Sequence, residues 1–323
     1  MWGIMNKGLV SIVTPCYNSA AYIDRYIESI INQDYRQIQL ILVNDGSIDE
    51  TEKKISKYKS SFEEKGMGLV YIYQENQGQA AAINNGLKYV KGEYLIWPDS
   101  DDFLFTNSVS TRVNFLNQNK EFGLVMSNGH LYDENDIFIP VKELSTNESV
   151  VSLYDKIVDL SAVFNPNGYM VRFQNFIDSN NGLDIFVSRG GQNIQMLMPI
   201  SRNCECGYID TPLYGKVERL QSHSKQAKNL GSQLDRIDII TKIQINVLLK
   251  LDEFIVSDMI KVLTVNIYSK FCTSLYYGKK DLQRKYFLLL KNMTINNIKR
   301  LFVSIIKQMM ITKRGKKNEN YRT

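Results

Sequence analysis

Residues 93–102 read EYLIWPDSDD. An apolar run ending at Trp97 gives way, across Pro98, to three carboxylates in four positions, Asp99, Asp101 and Asp102. The chain then returns at once to apolar residues, Phe103 and Leu104. Like charges this close repel, so the cluster implies a positive partner. At a strand end, residues i and i+2 face the same way. Asp99 and Asp101 can therefore share a hard divalent cation, Mn²⁺ or Mg²⁺, of the kind that bridges carboxylates to phosphate oxygens. Taken alone, the D-x-D spacing describes a solvated acidic turn equally well; what precedes it decides.

Working outward, the preceding residues alternate strand and helix. Leu9–Pro15 (LVSIVTP) is a β-rich run, and Ser19–Gln33 carries an apolar helical stripe at Tyr22, Ile23, Tyr26, Ile27 and Ile30. Ile38–Ser47 is a continuous apolar strand, followed by a helix for which Ser47 and Glu50 form a capping box. Leu69–Asn76 is a third strand, Gly78–Val90 a helix rich in small residues, and Glu93–Asp102 a fourth strand. This order predicts an α/β fold with a parallel, doubly wound sheet. Such sheets bind ligands beyond the carboxyl ends of their strands. There stand PCYN (15–18), NDGS (44–47), QENQGQ (74–79) and PDSDD (98–102), four polar clusters converging on one crevice. Asp45 suits a hydrogen bond to a base or ribose, or a turn acceptor before Gly46. Gly78 opens a helix whose N–H groups suit an anion.

The rest of the chain is less regular. From Phe122 to Lys228 the pattern is mixed and loop-rich; residues 235–310 have helical periodicity in four stretches, and residues 311–323 read as a basic, disordered tail. The expected organisation is one large domain over 1–228, in two halves near 8–120 and 121–228. A helical region over 229–310 follows. From Asp235 onward there are 18 Lys and Arg against 7 Asp and Glu, whereas residues 1–234 carry 21 against 27. The basic helices suit either a solvated face or an anionic membrane surface. No nucleic-acid motif accompanies them. Four cysteines make no disulfide framework; Cys204 and Cys206 lack a second pair for zinc and read as buried or strand cysteines. The opening MWGIMNKG is too mixed for a secretory signal, and no run of 18 apolar residues appears. A cytoplasmic location, peripheral on the inner face of the plasma membrane, is expected.

VSIVTPCYN, LILVNDGSIDET, NQGQAAAINNGL and GEYLIWPDSDDFL together resemble the motif series of family 2 nucleotide-sugar glycosyltransferases of the GT-A fold. The resemblance covers roughly residues 9–110. It implies a mixed, mostly parallel sheet and an inverting transferase that moves a sugar from a nucleoside diphosphate, a UDP-sugar foremost, to an acceptor hydroxyl. By matching positions, Pro15 and Tyr17 flank the nucleobase, Asp45 contacts base or ribose, Gly78, Asp99 and Ser100 line the donor, and Asp101 lies nearest the metal. Family members often carry Arg where Ile83 stands here, which leaves phosphate neutralisation by that residue open.

Further on, many members present an acidic pair before a helix, and its Asp is the general base. The corresponding segment here is SRGGQNIQMLMP (188–199), with Gln192 and Asn193 in those places. Neither amide takes a proton at neutral pH. The base is then another carboxylate, Asp184 or Asp178 being nearest in sequence; or the acceptor needs little help; or the chain is a non-catalytic partner that binds nucleotide sugar. The same segment resembles a variant of capsule and surface-polysaccharide clusters, implying a glycan or lipid-linked acceptor. His223 is a candidate metal ligand by resemblance, and His130 reads as a loop or strand residue. A nucleotidyltransferase is the more distant alternative, but TPCYNSAAY (14–22) lacks the Gly-rich basic loop.

Overall fold

The apolar run at the start of the chain forms β1 (Asn6–Cys16), buried from Val10 onward. It is followed by α1 (Ile23–Ile31), β2 (Ile38–Asp45), α2 (Thr51–Ser56), α3 (Lys59–Glu64), β3 (Gly68–Gln74), α4 (Gln79–Leu87) and β4 (Gly92–Ile96). The structure, a computed structural model, describes residues 5–145, 152–162, 165–180, 184–188, 190–219, 229–251 and 256–291. Strands β1 to β4 are mutually parallel, in the order β3-β2-β1-β4. All eight residues of β2 are buried, as a parallel strand covered on both faces requires. One face, Val10, Ile12, Leu40 and Leu42, shares a core with Ile23, Tyr26, Ile27 and Ile30 of α1. Against the other face lies α4, whose Gly86 stands so close that a Cβ would come within 2.5 Å of Val13 and 3.1 Å of Val43.

Three boundaries differ from the sequence reading. The fourth strand ends at Ile96 rather than Asp102, because Pro98 has no N–H to give a ladder and the acids beyond it turn away. Ser47 caps no helix: α2 begins at Thr51, and the Ser47 hydroxyl instead accepts the Asn18 N–H at 2.9 Å. The first helix is also shorter, since residues 19–22 belong to the loop that follows β1.

Beyond β4 come β5 (Phe103–Leu104), α5 (Ser108–Gln118), β6 (Phe122–Asp133), β7 (Lys142–Leu144), α6 (Leu153–Val158), β8 (Tyr169–Arg172), α7 (Phe173–Ser179), α8 (Gln192–Asn203) and β9 (Glu205–Glu218). They extend the sheet as β4-β8-β6-β9-β5, with β7 on β6. Strand β8 runs antiparallel to β4 and β6, β9 runs parallel to β6, and β5 runs antiparallel to β9. The sheet is therefore mixed, and the stretch that reads as loop-rich holds its two longest described strands. Their glycines mimic turn signals. Gly129 and Gly215 instead leave room for the rings of Tyr214 and Phe103.

A second compact unit comprises residues 228–241 and 255–323, while residues 242–254 group with the first. Helix α9 (Leu230–Leu248) supplies the start of this unit, followed by α10 (Val256–Tyr276) and α11 (Lys280–Lys291). Within it Asn266 donates to Thr241 at 2.8 Å and Lys270 pairs with Asp238. The reading of a helix over 296–310 lies outside the described residues.

Candidate active site

The carboxyl ends of β1, β2, β3 and β4 are stitched together by their own loops. The Ile48 N–H donates to Asn18 at 3.0 Å, and the Ala20 N–H to Asp49 at 3.0 Å. Ser19 reaches Ser100 across 3.1 Å, joining the first loop to the acid-bearing one. Asp45, only 3% exposed, accepts Gln74 Nε2 at 2.7 Å and the backbone N–H groups of Gln77 and Gly78 at 2.9 and 2.8 Å. It thus fills the turn-acceptor role its position allows, and any contact with a ligand is additional to these three. Gly78 sits at φ +90 with its N–H turned to Asp45, and α4 begins after it. Pro15 is buried at the end of β1, and Tyr17 is half exposed just beyond. Ile83 is buried under the sheet, so its place is a packing position.

The acids gather as the sequence suggests. One carboxylate oxygen from each of Asp99, Asp101 and Asp102 lies within 4.8 Å of the others. They are not equivalent. Asp102 is 3% exposed and both its oxygens are used: Val217 N–H donates at 2.8 Å and Asn167 Nδ2 at 2.5 Å. Burial, and then the neighbouring Asp101 and Asp99 charges, hold its carboxyl well above the usual carboxylate range. Asp102 is a brace between the acidic turn, β9 and residues 165–167. Asp99 accepts Gln79 Nε2 at 2.9 Å. Burial first and Asp101 second push its carboxyl up to about 7. Asp101 pairs with Arg219, and its backbone carbonyl accepts from Arg25. Among the described residues, Asp99 Oδ2 and Asp101 Oδ1 carry no hydrogen bond. Two hard oxygens so placed fit a divalent cation better than a soft metal.

The amide pair is wired to this cluster. Gln192, first residue of α8, donates to Gln79 at 2.6 Å, and Gln79 donates in turn to Asp99. Asn193 Oδ1 accepts the indole N–H of buried Trp97 at 2.9 Å. Residues 192–193 and 97–99 thus converge, though a sequence separation near a hundred hides it. Asp184 lies elsewhere: it lines a small cavity with Asn180, Gln195, Pro199, Asn246 and Lys250, and none of the three clustered acids borders that cavity. Asp178 is held by Gln174 on the surface of α7. His223 lies outside the described residues. His130 is on β6, edge-on to Phe105. Cys206 is on β9, its thiol pushed up to about 12 by burial. Sequence reasoning missed Arg219, Arg25, Gln79 and Asn167. Only Gln79, adjoining Gly78 in the third polar cluster, carried a local signal.

Comparison with known proteins places these features. A glycosyltransferase of Rickettsia typhi is 41% identical over 110 residues, 34% of this chain and 32% of that protein. Glycosyltransferase GlyG of Streptococcus pneumoniae is 36% identical over 129 residues, 40% of this chain and 41% of that protein. The matched stretch thus spans about a third of the first of these relatives and less than half of the second. The crystal structure of S. aureus TarS 1-349 in complex with UDP-GlcNAc superposes with a TM-score of 0.62 at 17% identity, covering 87% of this chain and 79% of that one. A mannosyltransferase from Pyrobaculum calidifontis, in complex with GDP-Man and Mn²⁺, gives a TM-score of 0.53 at 14% identity, over 93% and 80% of the two chains. These two share the GT-A fold with it. The family model described as Glycosyl transferase family 2 matches residues 11–179. With just over half of its residues inside that match, the chain belongs to glycosyl transferase family 2.

Proposed function

We propose that this chain is an inverting, metal-dependent glycosyltransferase that moves a sugar from a nucleoside-diphosphate donor, a UDP-sugar, to a hydroxyl of a glycan or lipid-linked acceptor in surface-polysaccharide assembly. The observation that carries the reading is the pairing of Asp99 and Asp101 at the end of β4, beside the loops of the three parallel strands. The relatives' names, and the nucleotide sugars and Mn²⁺ bound by the structural neighbours, support it. In the reaction the acceptor oxygen attacks the anomeric carbon from the face opposite the leaving group. The bond from that carbon to the diphosphate breaks, its electron pair leaves with the diphosphate, and the acceptor proton passes to a base. Asp99 and Asp101 would hold Mn²⁺ or Mg²⁺, which would neutralise the leaving diphosphate. Tyr17 would flank the base, Pro15 would shape its wall, and Asp45 would reach the ribose while holding the third loop. Ser100 and Gly78 would line the donor, and His223 would complete the metal's ligands. Gln192 and Asn193, fastened to Gln79 and Trp97, would shape the sugar end of the donor site, and Asp184 would serve as the base only if the acceptor reaches the separate cavity it lines. Residues 8–120 would then form the donor half and 121–228 the acceptor half.

The decisive experiment measures turnover of UDP-, GDP- and dTDP-sugars with Mn²⁺, using the wild type and Asp101→Ala. Hydrolysis or transfer from one donor that disappears in the variant is expected. No turnover of any common donor by well-folded wild type would overturn the reading and leave a binding partner in its place.

A further inference from the structure

The acid cluster is not the only charged group at the end of β4. Two guanidiniums reach it from elements distant in sequence, and one pairs with a carboxylate oxygen of Asp101. Strand β9 runs antiparallel to β5 with Phe103 opposite Gly215 and Leu104 opposite Tyr214. The same alignment carries β9 onward along the acidic turn. Val217 N–H meets Asp102, and Arg219, just past the strand, meets the outer oxygen of Asp101. The Arg219 guanidinium also lies 4.7 Å above the ring of Tyr22, in the loop after β1. Arg25 of α1 approaches from below and donates to the Asp101 carbonyl, while its guanidinium rests 5.8 Å over Phe103. The Arg219 and Asp101 side chains are 29% and 22% exposed, so the pair is open to solvent. Lys216 adds a further positive charge felt by Asp99 and Asp102.

This arrangement has a consequence for binding order. A guanidinium on Asp101 Oδ2 competes electrostatically with a divalent cation on the same carboxylate. A cation entering alone would be repelled by Arg219. A cation entering with a diphosphate would not, because the guanidinium then has phosphate oxygens to turn to. Arginine matches phosphate with two parallel N–H groups, and its planar face can stay on Tyr22 while its edge changes partner. We infer that Arg219 is an exchangeable counter-ion: it neutralises Asp101 through Oδ2, beside the oxygens a cation would use, and transfers to the diphosphate of the nucleotide when donor and metal bind together. Arg219 is thereby a donor-binding residue supplied from beyond the matched family region, and it couples metal affinity to nucleotide affinity. The inference rests on the donor reading given above. It also gives the three clustered acids a positive partner within the chain itself.

Calorimetric titration separates the two halves. Wild type, Arg219→Met and Arg219→Lys are each titrated with Mn²⁺ alone and with UDP at saturating Mn²⁺. Arg219→Met should bind Mn²⁺ alone about threefold tighter or more, since an ion-pair competitor of modest strength has gone. It should bind UDP about ten- to a hundredfold more weakly, the loss expected for a charged hydrogen-bond partner. Arg219→Lys, which keeps the charge and the fold, should fall between them for UDP. Equal UDP affinity in wild type and Arg219→Met would overturn the inference. So would a joint loss of Mn²⁺ and UDP binding with a lower Tm, because the pair would then merely fasten β9. If wild type binds no UDP, GDP or dTDP, the donor reading fails and the diphosphate half with it. The Mn²⁺ titration still decides whether Arg219 opposes a cation at Asp101.

Discussion

Asp102 and Asp99 are three positions apart and burial raises both carboxyls, yet their partners differ. Asp102 is sealed and braced by Val217 and Asn167, whereas Asp99 faces the crevice and Gln79. Their spacing in sequence shows neither role, because the difference comes from residues 65 to 115 positions away. The amides tell a similar story. Gln192 and Asn193 stand where acids are expected by resemblance, and each is engaged by a donor-side residue, Gln79 or Trp97. With both amides so held, the base must be a carboxylate elsewhere, or none is used. Asp184→Asn tests this directly. If Asp184 takes the acceptor proton, kcat should fall by about 10²- to 10⁴-fold while Kd for the donor stays unchanged. An unchanged kcat would remove Asp184 from the chemistry.

At the scale of elements, a helix built of small residues lies under the site. In α4, Ala80, Ala82, Ile83, Gly86 and Leu87 are buried, and Gly86 meets β1 and β2 with no space for a side chain. The small residues bring the helix close to the sheet, and its first turn brings Gln79 to Asp99. Gly86→Ala is a sharp test, because helix propensity alone favours Ala by about 1 kcal/mol. The contact with Val13 should reverse that sign, giving a net loss of about 1–2 kcal/mol in urea unfolding. A stabilised variant would mean that α4 stands off the sheet. Strand β9 is the counterpart in the second half. It was illegible as a strand because Gly207, Pro212 and Gly215 read as turn residues, while its pairing with β6 and β5 is what carries Arg219 to Asp101.

At the scale of the molecule, charge is divided along the chain. The C-terminal unit is basic, and α11 shows solvent Arg284, Lys285 and Lys291 beside exposed Phe287, Leu288 and Leu289. Among the described residues no helix is long and apolar enough to cross a membrane. A surface of this composition suits the headgroup region of an anionic bilayer. The full-length protein should float with phosphatidylglycerol vesicles and not with phosphatidylcholine vesicles, and Arg284→Glu with Lys285→Glu should abolish it. Recovery with neither lipid would exclude the membrane contact, and equal recovery with both would exclude its dependence on anionic headgroups.

The sequence by itself determined the order of strands and helices through β4, the convergence of four polar loops, and the pairing of Asp99 with Asp101. Hydrophobic periodicity and strand-end acids are local signals, and local signals survive in one dimension. Only the tertiary structure decided which acid braces the fold, which amide holds the crevice together, and which cation answers the acidic turn. Those choices depend on chain segments that meet only after β9 has paired with β6 and β5. The crowding in EYLIWPDSDD is relieved from outside that stretch, by Arg25, Arg219 and Asn167.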